Sequence, residues 1–295
     1  MNTLSSVSQT DRRFSECQQS DQYHHLTVHQ DGHNSVAWCY MRPSPRPCFT
    51  PALLEELESW SHHMRLQAQQ KNLRFHVTAS AIPGIFNLGG DLEVFRTLIA
   101  ARDADHIYAY AKRCVDVLFS NITSFGSDVT TIALVQGEAL GGGFEAALSS
   151  EVLIAERQAR FGFPEILFNL FPGMGAFSLL SRKLDASRAE QLILSGKVYK
   201  AEELNAMGLI DVLVEEGEGE LAVYDYIKRE NRARNGFSAF RKARDSVNPI
   251  TYEELERIVQ IWVEAALKLE LRDLKMMERL VSRQYRSTEK SEKVA

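Results

Sequence analysis

Residues 129–149, "VTTIALVQGEALGGGFEAALS", constrain the fold of this chain more than any other stretch. An apolar, β-branched run ends at Gly137, and three consecutive glycines, Gly141 to Gly143, then open onto a segment of helical character. A run that is apolar on both faces is the pattern of a strand covered on both sides, as in a parallel sheet. Glycine loses more conformational freedom on ordering than any other residue, so a triplet marks a place where the backbone turns tightly or something must come close to it. Beside the triplet stands a single carboxylate, Glu145.

The surrounding pattern predicts an α/β class with a helical end. "LTVHQDGHNSVAWCYM" reads as two strands around an Asp-Gly turn, and "LRFHVTAS" as a third. The proline-rich "RPSPRPCFTP" leads into a helix, "ALLEELESWSHHMRL". Helical periodicity runs from Glu93 to about Phe119, and "EVLIAER" is a further strand. From about Leu221 the chain is helical, with Leu255, Ile258, Val259, Trp262, Ala266 and Leu269 forming one apolar stripe. The expected organisation is a loose tail over 1–22, an α/β core over 23–220 and a helical region over 221–295.

Composition narrows the function classes. Net charge is −5, which gives no general reason to bind nucleic acid, and no apolar run approaches a membrane span. The polar start lacks the apolar centre of a signal peptide, so a cytoplasmic protein is expected. Cys17, Cys39, Cys48 and Cys114 have no C-x-x-C spacing, and all eight histidines lie at or before His106, so no metal set is expected. Charge is uneven, however. "KRENRARNGFSAFRKAR", Lys228 to Arg244, holds seven basic residues against one acid. It reads as a solvated helix face, or as a docking strip for an acidic partner.

Three loops, each after a predicted strand, carry the chemistry. "FNLGGDL" places Gly89 and Gly90 where a backbone can bend with its amides outward. The triplet leads into a helix whose first N–H groups have no internal acceptor. Two such loops brought together can clamp one oxygen, an oxyanion hole made without side chains. Residues 141–146 also fit the G-x-G-x-x-A dinucleotide fingerprint, but a carboxylate at Glu145 would repel a pyrophosphate at that helix start, so no cofactor is expected. The third loop, "FGFPEIL", carries Glu165. Glu145 and Glu165 each suit the first turn of a helix; together, flanking one site, they suit proton removal and delivery.

"ALGGGFEAAL", "FGFPEILFNLFPGMGA", "FNLGGDL" and "AEELNAMGLIDVLV" occur in the order and approximate spacing of the crotonase superfamily, the enoyl-CoA hydratase/isomerase fold, which the chain resembles from about Leu26 to Val214. Within it, "GEALGGGFEAALS" and "PEILFNLFPGMGA" are most similar to the diffusible signal factor synthases, which make cis-2-unsaturated fatty acids for bacterial quorum sensing. The resemblance implies a crotonase-like fold of repeated ββα units, oxyanion-hole amides on Gly90 and Gly142, and catalytic acids at Glu145 and Glu165. Gly90 stands where alanine is usual, and the proline-rich segment departs from the common first crossover.

The implied activity is dehydration of a 3-hydroxyacyl thioester on acyl carrier protein to a cis-2-enoyl thioester, then hydrolysis to the free acid. An ordinary enoyl-CoA hydratase of fatty-acid breakdown, acting on CoA thioesters, is the alternative, and a non-catalytic crotonase-like protein that regulates a partner is a third class. Met174, Trp262 and Leu280 are the candidates for an acyl-tail pocket, each equally suited to plain core packing. The resemblance also implies a homo-oligomer, a trimer or a pair of trimers.

Overall fold

The computed structural model describes residues 23–70 and 72–292; the tail expected over 1–22, with Cys17, lies outside them. Two sheets organise the molecule. The larger has six strands in the order β1 (Leu26–Asp31), β2 (Val36–Met41), β3 (Phe75–Ser80), β5 (Thr130–Val135), β7 (Val152–Glu156) and β10 (Val212–Val214). β1 and β2 form the antiparallel pair expected around the Asp-Gly turn, and the remaining neighbours are parallel. Every residue of β5 is buried, as its two-faced apolar run requires.

The smaller sheet has the order β4 (Ile85–Asn87), β6 (Glu138–Leu140), β8 (Arg160–Gly162) and β9 (Val198–Lys200). Its first three strands are parallel, and β9 closes the edge antiparallel to β8. Successive strand pairs, β3 with β4, β5 with β6 and β7 with β8, therefore place one strand in each sheet before the chain turns into a helix. This is the repeated ββα plan. The three-residue strands β4, β6 and β8 are too short to show a period of two, and they separate each long strand from the loop expected to follow it directly.

The helices cover the sheets. α1 (Pro51–Gln69) starts at Thr50, whose hydroxyl accepts from Leu53 N–H, with proline at the first helical position. The single helix expected from Glu93 to Phe119 is two: α2 (Leu92–Ala100) and α3 (Ala104–Ile122). Arg102 adopts φ 54°, and Asp103 accepts from His106 N–H to begin a new helix, which a periodicity continuing across the break conceals. α4 (Gly142–Leu148) follows the glycine triplet, and a 3-10 turn over Pro164–Phe168 follows β8.

Beyond them come α5 (Ala176–Lys183), α6 (Ala186–Leu194) and α7 (Ala201–Ala206), then α8 (Gly219–Arg232), α9 (Arg234–Val247), α10 (Tyr252–Ala266) and α11 (Leu271–Glu292). α10 packs on α3 and α11 on α2, so the last two helices lie over the half of the molecule that contains the small sheet's loops. Among the described residues no helix is long and apolar enough to cross a membrane. Cys39, Cys48 and Cys114 are free and buried.

Part of the basic strip is spent on ion pairs within the fold. Glu230 is fully buried and takes hydrogen bonds from Arg234 (2.8 Å), Arg241 (3.2 Å) and Thr130 (2.7 Å). Arg244 bridges to Glu151 at 2.7 Å and to Asp245 at 2.8 Å. A row of cations expected to face outward thus contributes Arg234 and Arg241 to the buried Glu230 and Arg244 to a pair at the surface. Lys228, Arg229, Arg232 and Lys242 remain at the exposed surface.

Candidate active site

The carboxyl ends of β4, β6 and β8 lie side by side, and the three chemistry-bearing loops leave from them. Ligands in open α/β sheets bind beyond the carboxyl ends of parallel strands for this reason. The loop after β4 brings Gly90 against the start of α4: a methyl group built on Gly142 would lie 3.5 Å from the Gly90 nitrogen, and one on Gly89 would lie 2.9 Å from the Gly142 nitrogen. Neither the Gly90 nor the Gly142 N–H donates a hydrogen bond among the described residues. Gly142 is the first residue of its helix, where no intrahelical acceptor exists.

Close approach explains the triplet. A methyl group on Gly143 would overlap the Asn87 carbonyl oxygen at 2.0 Å, so this position locks α4 against β4. Gly141, at φ 53°, would bring a methyl group within 2.4 Å of Oε1 of Glu165. The glycine beside one acid is thus the floor beneath the other.

Glu145 is 1% exposed and lies in the first turn of α4. Its Oε1 accepts hydrogen bonds from Met174 N–H and Ala176 N–H, each at 2.9 Å, the latter at the start of α5. Burial raises its carboxyl to about 7, and the backbone N–H groups at Ala176, Met174 and Gly175 oppose that rise by favouring the anion. Glu165 begins the 3-10 turn after Pro164 and is half-buried as a residue, yet its carboxyl is enclosed: Oε2 is buried without a hydrogen-bond partner. Burial, and then the nearby Glu145 charge, raise it to about 8. The pair therefore holds about one proton near neutral pH, with the anion on Glu145, where two backbone N–H groups stabilise it.

Both acids line one cavity with Gly90, Gly142, Met174 and Trp262. Met174 lies over the glycine hole, its Cε 2.4 Å from a methyl built on Gly142. Trp262 of α10 packs against Phe95 at a tilt of 54°, with ring centroids 4.9 Å apart, and fills the space left by Gly173. Leu280 does not reach this cavity; it is half-buried on α11 against the main core, because α11 presents that side of the helix to α2 and the surrounding core.

Some parts of the site were not foreseen. Tyr110 and Cys114 of α3 complete the wall, one turn apart on a helix whose periodicity revealed an apolar face but not what it faces. Arg46, from the proline-rich segment, is buried and binds Asp91 at 2.9 and 2.7 Å and Glu93 at 2.6 Å. Asp91 follows Gly90 and caps α2 through Val94 N–H, and its own N–H donates to the Tyr110 hydroxyl at 3.0 Å. The Gly90 loop is thus pinned from both sides. Among the described residues no three of His, Cys, Asp and Glu gather as a metal ion would need.

The family model described as enoyl-CoA hydratase/isomerase matches residues 32–270. The chain belongs to this family. Among curated enoyl-CoA hydratase/isomerase relatives it is 32% identical, over 60% of this chain and 56% of the other, to a probable mitochondrial enoyl-CoA hydratase of Arabidopsis thaliana. It is 32% identical, over 52% and 43%, to human mitochondrial methylglutaconyl-CoA hydratase. The chain spans about half the length of the curated relatives it matches. Its structure is similar to an enoyl-CoA hydratase of Bacillus halodurans, with a TM-score of 0.73 at 20% identity over 87% of this chain and all of the other. It is also similar to Pseudomonas aeruginosa DspI, with a TM-score of 0.64 at 25% identity over 82% of this chain and 90% of the other.

Proposed function

We propose that this member of the enoyl-CoA hydratase/isomerase family adds water to, or removes it from, the 2,3-bond of an acyl thioester. One observation carries the reading: two enclosed carboxyls, both raised toward neutrality, open onto the same cavity as two unengaged amides from separate loops. A thioester carbonyl oxygen accepts from Gly90 N–H and Gly142 N–H. The enolate charge formed when the α-hydrogen leaves is then stabilised by donors already in place. Glu145, the ionised member, takes the α-proton. Glu165, the protonated member, gives its proton to the 3-hydroxyl as the C3–O bond breaks, and water departs as the 2,3-double bond forms. Hydration is the same sequence reversed.

The hydratase names of the curated relatives favour CoA as the carrier of the thioester. Disappearance of a 2-enoyl-CoA and formation of its 3-hydroxyacyl-CoA, followed by chromatography, tests this. Glu145→Gln and Glu165→Gln each remove activity if the pair works as described; unchanged rates in both variants defeat the proposal.

A second reading is supported by the likeness to DspI, at an identity above that to the Bacillus halodurans hydratase, and by the resemblance to diffusible signal factor synthases. On it, the substrate is a 3-hydroxyacyl group on acyl carrier protein, and elimination is followed by water attacking the thioester carbonyl. The thiol leaves with a proton, and a free cis-2-unsaturated acid results. The same amide pair serves the second oxyanion, and the acidic carrier docks on the exposed cations Lys228, Arg229, Arg232 and Lys242. Appearance of free acid from the carrier thioester separates this reading from the first. On either reading the chain self-associates through the exposed apolar residues Ile166, Leu167, Leu194 and Val198, which adjoin one another around Gly196.

A further inference from the structure

A second cavity adjoins the first, and the two share Cys114 and Met174 in their walls. It sits between α1, α3 and strands β2 and β3, and most of its lining is aliphatic or aromatic. Two buried polar atoms in that lining have no partner: Nδ1 of His76 and Oδ1 of Asn121.

Their hydrogen-bonding roles follow from their neighbours. Trp60 Nε1–H donates to His76 Nε2 at 2.9 Å, so Nε2 carries the lone pair. Burial drives the imidazole down to about 3, so the ring is neutral and its one proton is on Nδ1. His76 is 3% exposed and stands edge-on to Phe125 at 4.9 Å. The Ser149 hydroxyl donates to the Ala146 carbonyl at 2.6 Å and can only accept from Asn121. That contact and a second, to Ser150 at 3.0 Å, turn the Asn121 amino group to the serines and leave Oδ1 as an acceptor. One unused donor and one unused acceptor, with no partner among the described residues, thus belong to the lining of a mostly apolar chamber, and such groups are rare in native interiors without a reason.

We propose that this chamber receives the distal part of the acyl chain, admitted past Met174, and that His76 and Asn121 select a chain bearing a hydroxyl group. A hydroxyl both accepts and donates, so such a group can answer either atom, whereas a plain hydrocarbon end answers neither. Methionine's flexible, unbranched side chain suits the passage between the cavities. The inference rests on the acyl-thioester reading above and moves the tail from the Trp262 side of the site to the Trp60 side.

Calorimetric binding of saturated fatty acids from octanoic to dodecanoic acid, each compared with its terminally hydroxylated analogue, tests it on the intact chain. At one or more lengths the hydroxylated acid binds at least about tenfold tighter, roughly what one net hydrogen bond supplies, and His76→Phe abolishes that preference. Val117→Phe, which fills the chamber from a half-buried position on α3, weakens both acids while its melting curve stays cooperative. Equal affinities throughout the series, or a preference that survives His76→Phe, overturn the selection; undiminished binding to Val117→Phe overturns the chamber. Turnover of a four-carbon 3-hydroxyacyl thioester, too short to reach the chamber, reads the catalytic proposal separately. Its absence beside intact chamber binding removes that function and leaves the site.

Discussion

Gly141 lies directly beneath the carboxyl of Glu165, with Oε1 only 2.4 Å from where its Cβ would be. Its φ of 53° is also one that side chains rarely adopt. Gly141→Ala is expected to displace the Glu165 carboxyl and lower kcat by about a hundredfold, the scale on which an ångström of misplacement acts. Since the strain is confined to one turn, the far-UV spectrum should be unchanged. Steady-state kinetics alongside circular dichroism checks both.

The two glutamates should give a narrow pH profile. The proposed dehydration needs Glu145 ionised and Glu165 protonated, so its rate rises as pH passes about 7 and falls as pH passes about 8. The two limbs belong to the coupled pair. Rates of dehydration measured across pH 5 to about 10 should be bell-shaped, and Glu165→Gln should remove the bell by abolishing turnover.

Stability should move in the opposite sense to that of an ordinary paired carboxylate. Both folded pKa values lie above the ordinary glutamate value of about 4.3, so in the window from there to about 8 the unfolded chain releases protons that the folded chain retains. Stability contributed by the two groups is complete below the unfolded value and is lost as pH rises through the folded ones. Glu165→Gln is therefore expected to melt several degrees above the wild type at pH 8 and close to it at pH 5, as differential scanning calorimetry would record.

Arg46 and Asp91 hold the hole's first loop at a distance of 45 residues in sequence. Removing the guanidinium in Arg46→Ala leaves a 1%-exposed carboxylate without its bidentate partner, a loss on the order of 3–5 kcal/mol for a buried pair. Thermal melting reads that loss directly. Arg46→Lys keeps the charge without the fork and is expected to retain most stability while kcat falls more than KM rises, because the Gly90 amide is less well aimed.

The basic segment divides into two kinds of residue. Arg241→Glu places a second negative charge against buried Glu230 and should unfold or severely destabilise the chain, whatever the substrate. Lys228→Glu and Lys242→Glu touch only the surface and should leave CoA-thioester kinetics intact. If acyl carrier protein docks there, these two raise KM for the carrier substrate alone, and more so at low salt.

Much of the fold was legible because its long strands and amphipathic helices each bury many side chains in a regular period. The buried run Thr130–Val135 and the stripe containing Leu255, Val259, Trp262 and Ala266 appear where their spacing places them. Glu145 and Glu165 were legible for a different reason, since glycine and proline beside an acid leave few structural roles for it. What escaped was short or distant. β4, β6 and β8 have three residues each, below any detectable period. The break at Arg102 has neither glycine nor proline to announce it. Contacts such as Arg46 with Asp91, or Trp60 with His76 across the second chamber, depend on which faces the tertiary fold brings together. The same holds for Leu280, since an apolar residue in a helical segment does not say what its side of α11 meets.

The alternation of strands between two sheets has an evolutionary corollary. Each of the three working parts, one amide, the other amide with the first acid, and the second acid, is delivered by a different structural repeat. A lineage can therefore rewrite the acid in one repeat while the polarising amides supplied by its neighbours stay in register. New reactions on the same activated carbonyl become accessible by editing a single turn, with the framework that holds the thioester left as it was.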